Sequence, residues 1–308
     1  MSDTVKEFME KPVKKYACGE KAQQAQKTLQ NTFTASSAKS AADEKRLLSD
    51  VLETLNKTDS GRETLETLSD LGYKIKFQNL GKQFGGYCNY DDRVIVLNPT
   101  RSKNFLAVAV VHEGRHGIQF ASEKKNAPIF EQTRVADMYR MRKAIEADAC
   151  AHQAAYAYQM KDKNPLAFEQ EMQTPMTQAY VAEMDKSGDE KKAMQASFQA
   201  WYGYKKYQTA YEKQFQFQIL KNAAKREASG EKTVSLSNRD IAGFCRFQGE
   251  TYISPDFFDR AESLSVSPAF KQEIQKTGDP SVAALPVRGE KSSVNPVVAR
   301  QIASARGR

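Results

Sequence analysis

The sequence predicts an α+β fold, mostly helical, with a small sheet packed on one buried helix. Three observations lead there. Three short β-like segments cluster between Tyr73 and Asn98, long helical patterns follow them, and the apolar run Phe105 to Val111 sits at the junction of the two textures. That run spans about two helical turns, far short of the roughly 18 or more apolar residues of a membrane span.

The elements follow in order. Residues 1–60 are polar and rich in Ala, Lys, Gln and Ser, and read as helical but loosely packed. Within them Leu47, Leu48, Val51, Leu52 and Leu55 mark one amphipathic helix, and Thr32 to Ser40 reads as a linker. Leu65, Leu68 and Leu71 mark the next helix, with Gly72 as its stop. Tyr73–Phe77 alternates apolar and polar, Gly85–Tyr90 is a second strand, Asp91-Asp92 suits a turn, and Arg93–Asn98 is a β-branched third strand ended by Pro99. Ser102 caps a helix from about Lys103 to Phe120. Further helices are expected over Phe130–Met160, Pro165–Lys186 and Glu190–Ala228, then short pieces to Lys276. The expected division is 1–60 as an N-terminal segment, 61–228 as the main domain, 229–278 as a helical subdomain and 279–308 as a disordered tail.

Composition narrows the class. The chain has 308 residues, 40% hydrophobic and 27% charged, with a net charge of +8. The cations are interleaved with acids and form no long basic block, which argues against a nucleic-acid partner. The first residues lack the apolar core of a secretory signal, so a cytoplasmic protein is expected. The four cysteines are scattered without a CxxC pair and read as reduced thiols.

The chemistry concentrates in His112-Glu113-Gly114-Arg115-His116. On a helix, residues four apart share one face. His112 and His116 therefore aim two imidazoles at one tetrahedral zinc ion, and Glu113, one step round, stands near the metal to take a proton from water. A catalytic zinc usually takes a third protein ligand. Glu146 is the first candidate: it lies on the next helix, on a face shared with Ala149, Cys150, Gln153 and Ala157, whose mostly small side chains allow close approach. Asp148 and His152 compete, pointing about 200° and about 120° away from Glu146 on an ideal helix.

These residues resemble the zincin metallopeptidases of the gluzincin type, which carry HExxH on one helix and a glutamate on a following one. With Arg115 inside the motif, the segment Gly72–Met160 also resembles a group of bacterial metallopeptidase-like proteins with HExRH. The resemblance implies a zincin-like fold and peptide-bond hydrolysis with one Zn2+ held by His112, His116 and Glu146, with Glu113 as general base. It further implies a peptide substrate that adds as a strand to the sheet edge beside the active helix. Glu146 to Cys150 departs from the family string at Cys150, where many members place an aspartate that holds a ligand histidine. Asp137, Asp148 or a backbone carbonyl must then serve. Tyr156, Tyr158 and His152 are candidates for the oxyanion donor.

Other features read more plainly. The aromatics from Phe198 to Phe217, interleaved with lysines, fit a core or cleft wall better than a base-stacking platform. Cys150 reads as a small core residue. The basic C-terminus reads as a solvated tail, with non-classical secretion of an effector as its functional alternative. Residues 1–60 raise the question of an inhibitory segment. Two rivals stand beside the peptidase: a non-proteolytic metal-binding regulator or effector on the same fold, and a basic helical binding module in which HExxH is accidental. The oligomeric state has no signature in the sequence.

Overall fold

The leucines of the N-terminal helices come together with the sheet and the HExRH helix in one apolar cluster. This is seen in a computed structural model that describes residues 19–82, 84–121, 132–230 and 232–289. Helices α1 (Gly19–Asn31), α2 (Ala41–Leu55) and α3 (Asp59–Asp70) precede strands β1 (Lys74–Phe77), β2 (Gly86–Asn89) and β3 (Val94–Leu97), and helix α4 (Lys103–Ala121) follows. On α2, Leu48, Val51, Leu52 and Leu55 are completely buried, at the spacing of one helix face. They pack with Leu106, Val110 and Val111 of α4. The expectation of a loosely packed N-terminal segment is therefore corrected: its helices from residue 19 onward supply part of the core that supports α4.

The sheet has the order β1-β3-β2, with β1 parallel and β2 antiparallel to the central β3. Local chemistry sets its turns. Thr58 caps α3 by accepting from the Gly61 amide, and Gly72, at φ +73°, turns the chain into β1 in a conformation that favours glycine. Asn89 accepts from the Asp92 amide in the tight β2–β3 turn. The outer edge of β1 is covered by Thr34, whose amide donates to Ile75 and whose carbonyl accepts from Phe77. On the other edge, the register places the Asn98 amide on the Gly85 carbonyl at 2.8 Å. By antiparallel alternation the backbone groups of Gly86 and Cys88 point away from β3, toward the side of the sheet where no further strand lies among the described residues.

Helix α5 (Val135–Gln159) is buried nearly all round, because alanines at 144, 147, 149, 151, 154, 155 and 157 let other elements close on every face. The remaining helices are α6 (Pro165–Glu171), α7 (Pro175–Ser187), α8 (Glu190–Gly203), α9 (Lys205–Ser229), α10 (Asn238–Ala242), α11 (Ala261–Leu264) and α12 (Pro268–Gln275). A small hairpin, β4 (Arg246–Phe247) with β5 (Glu250–Thr251), lies between α10 and α11, and short 3-10 turns cover Pro255–Asp259 and Pro280–Ala284.

Two helices expected as continuous are broken. Thr174 caps a fresh start at Pro175, so 165–187 becomes two helices, and Tyr204 leaves helical geometry (φ −90°, ψ 89°) after Gly203, separating α8 from α9. The expected start of α5 at Phe130 lies outside the described residues. A second apolar cluster runs from Val135 to Leu285, so no core boundary falls at 228/229. Nor does order end at 278: Val282 and Leu285 are buried and Arg288 pairs with Glu212 at 2.6 Å. Residues 290–308 lie outside the described residues. α5 contributes to both clusters, and the candidate site lies where they meet.

Candidate metal centre

Helix α4 carries the HExRH segment on a face turned toward α5. Glycines make this approach possible. A methyl on Gly114 would meet Thr64 of α3 at 2.9 Å, and one on Gly117 would meet the Tyr73 ring at 3.0 Å. The residues after each histidine are therefore packed closely from behind, leaving the imidazoles to face α5.

The three donors predicted from the sequence converge. Oε2 of Glu146 lies 3.6 Å from Nε2 of His112 and 3.4 Å from Nε2 of His116. The three ligand atoms all fall within 4.8 Å of one another, and among the described residues this is the group of His, Cys, Asp or Glu so disposed. Their side chains are 14% (His112), 9% (His116) and 12% (Glu146) exposed. Oε2 of Glu146 is buried without a hydrogen-bond partner. An orphan carboxylate oxygen facing two imidazole nitrogens is costly in a protein interior unless a cation or proton sits among them. Without metal, that part falls to protons. Burial pulls His116 down, but the Glu146 carboxylate outweighs it and holds the imidazole at about 9. Burial alone would raise Glu146, yet His116 and His112 hold it well below the ordinary carboxylate range.

The alternatives for the third donor are engaged elsewhere. Asp148 accepts from Tyr252 (2.9 Å), Arg115 (2.5 Å) and Gln119 (2.7 Å). His152 donates through Nε2 to the Arg246 carbonyl at 3.0 Å. Burial, and next the Arg115 charge, depress its pKa to about 4.

The outer nitrogens of the two donor histidines meet amides. Nδ1 of His112 lies 3.1 Å from Oε1 of Gln153, and Nδ1 of His116 lies 2.9 Å from Oε1 of Gln119. None of the expected partners does this. Asp137 is taken by Arg134 and Arg140 at the start of α5, and Asp148 reaches His116 only through Gln119. Helical spacing places Gln153 on the Glu146 face but carries no sign of its contact with His112. Gln119, three residues beyond His116, carried a spacing signal of its own.

Glu113 stands beside the open strand: a methyl on Gly86 would lie 3.7 Å from its Cγ. The ring of Tyr211 on α9 stacks with Phe215 at 5.7 Å between centroids. Its hydroxyl faces Glu146; burial first, and then that carboxylate, push its pKa well up, so it remains a proton donor. Of the expected oxyanion donors, Tyr156 is buried in the core, Tyr158 packs on Tyr180, and His152 is held by the Arg246 carbonyl. The aromatic segment serves largely as core: Phe198, Trp201, Tyr202 and Phe215 are buried, Tyr204, Tyr207 and Tyr211 are partly covered, and Phe217 is exposed. Cys150 is buried, with its thiol held well up by burial.

The fold and this donor set define a mostly helical α+β protein with a His-His-Glu arrangement able to hold a metal. Residues 22–252 match the model of the Putative metallopeptidase family (DUF6782), and the chain belongs to that family. No curated protein and no solved structure matches it. Membership implies a metal cofactor and a peptide substrate. Among the described residues, no helix is long and apolar enough to cross a membrane.

Proposed function

We propose that this protein is a zinc-dependent peptidase of the gluzincin kind, with His112, His116 and Glu146 as ligands and Glu113 as general base. The observation that carries the reading is the buried oxygen of Glu146, which faces both Nε2 atoms and has no hydrogen-bond partner. Two imidazoles and one carboxylate are the donor set of a catalytic zinc site that keeps a position open. A zinc ion there supplies Lewis acidity, acidifying water and polarising a carbonyl.

The chain's own residues do the rest. The outward-facing backbone of Gly86 and Cys88 accepts an extended peptide as an added strand, with Glu113 directly beside it. Gly86 has no room for a side chain on its β3 side, since a methyl there would stand 2.7 Å from the Val96 carbonyl. Glu113 takes the proton of the attacking water and returns it to the leaving amine. The Tyr211 hydroxyl, beside Glu146 and still protonated, donates to the carbonyl oxygen as it gains charge.

The test is turnover of a mixture of synthetic peptides, followed by mass spectrometry, with zinc-loaded wild type and Glu113→Gln. Cleavage by the wild type and its loss in the variant are expected. If the zinc-loaded wild type cuts no peptide, the hydrolytic reading is wrong.

A further inference from the structure

We propose that Gln119 and Gln153 are positioning residues that fix the tautomer and ring orientation of the two donor histidines, and that Asp148 and Glu171 aim these glutamines. The inference rests on the metal site proposed above and concerns what holds its histidines.

An amide side chain has one accepting end and one donating end. Which end faces a histidine depends on what the other end meets. The Nε2 group of Gln119 donates to the Asp148 carboxylate at 2.7 Å and to the Ile145 carbonyl at 3.1 Å. Both partners are acceptors, so the oxygen of Gln119 must face His116. That oxygen only accepts, which keeps a proton on Nδ1 of His116 and makes Nε2, on the Glu146 side, the nitrogen that would take a metal.

His112 is held in the same way by different residues. Gln153 donates Nε2 to Glu171 at 2.6 Å, and its oxygen accepts from Nδ1 of His112 at 3.1 Å. Glu171 ends α6, a helix whose start is fixed by Asn164, whose amide donates to Asn104 of α4 at 2.7 Å. Each histidine thus has a neutral acceptor next to it and a carboxylate one step further out.

The arrangement has a chemical consequence. A carboxylate directly on Nδ1 raises the basicity of a ligand histidine. An amide oxygen fixes the same tautomer without placing a full negative charge there. The site then carries one carboxylate, Glu146, at the donors themselves.

The test is zinc affinity by competition with a chromophoric chelator, with the absorption of the cobalt(II)-substituted protein as a second readout of ligand orientation. Gln119→Met and Gln153→Met keep side-chain volume and remove the acceptor; each is expected to weaken zinc binding about 10- to 100-fold and to shift the cobalt bands. The exchange pair Gln153→Glu with Glu171→Gln keeps both hydrogen bonds with amide and carboxylate swapped, and is expected to recover most of the affinity lost in Gln153→Met. Wild-type affinity and spectra in both methionine variants would overturn the proposal, as would an exchange pair no better than Gln153→Met. A wild type that binds no zinc would instead overturn the metal site itself.

Discussion

Oε2 of Glu146 lies 3.4 Å from Nε2 of His116, and it is a buried oxygen with no hydrogen-bond partner. The pair joins two helices and two apolar clusters, α4 from one and α5 from both. A cation placed among these donors ties the halves of the molecule together. Zinc at about a hundred times its dissociation constant is therefore expected to stabilise the wild type by roughly 2.7 kcal/mol. Thermal unfolding with and without zinc measures this. Glu146→Ala should show little of the zinc-dependent rise, and an equal rise in that variant would remove Glu146 from the ligand set.

Tyr211 faces the donors from α9 and keeps its proton because burial and the nearby carboxylate disfavour the phenolate. Removing one transition-state donor costs on the order of 10²–10³ in kcat. Tyr211→Phe should lower kcat by about that factor with zinc content and KM little changed. A drop confined to KM would make Tyr211 part of the cleft wall only.

Arg115 gives the motif its mechanical link to the C-terminal part of the chain. Its guanidinium donates to Asp148 at 2.5 Å and to the carbonyls of Phe244 (3.1 Å) and Arg246 (3.0 Å). The Asp148 carboxylate is completely buried. Arg115→Met leaves that charge with the Gln119 and Tyr252 donors and the His152 imidazole at 3.7 Å, a change expected to cost about 3–5 kcal/mol. Urea unfolding gives the loss, and hydrogen exchange should show early opening at residues 244–252. Wild-type stability in Arg115→Met would contradict the link.

His152 titrates at about 4 in the folded protein, against an ordinary 6.5. The unfolded chain then binds more protons than the folded one between these values, so stability rises with pH there. The contribution is complete above pH 6.5 and is lost as pH falls through about 4. Its size is about 3 kcal/mol. His152→Gln, which retains a donor for the Arg246 carbonyl, should flatten this part of the stability–pH curve. An unchanged slope between pH 6.5 and 4 would mean that His152 does not carry it.

Much of the candidate site's geometry was legible because helical spacing is a local property. His112 and His116 four apart, and Glu146 on a face of small residues, required only a period of 3.6. Strands between 73 and 98 announced themselves through alternation and β-branching, and their positions agree with β1, β2 and β3 to within a residue or two. What stayed hidden depends on contacts distant in sequence. Gln153 meets Glu171 across α5 and α6, with Asn164 tying α6 to α4, and Tyr211 meets Glu146 from a helix that starts after the break at Tyr204. The N-terminal helices looked loose because their polar faces dominate the composition, although one buried leucine stripe suffices to anchor α2. The tail was read as disordered from its Pro and Ser content, yet Val282 and Leu285 find a place in the second cluster.

The most direct test of the central claim is the zinc content of purified wild type, His112→Ala, Glu113→Gln and Glu146→Ala by mass spectrometry. About one zinc per chain is expected in the wild type and in Glu113→Gln, and little in the other two. A wild type without zinc after reconstitution, or full zinc in His112→Ala and Glu146→Ala, would contradict the claim.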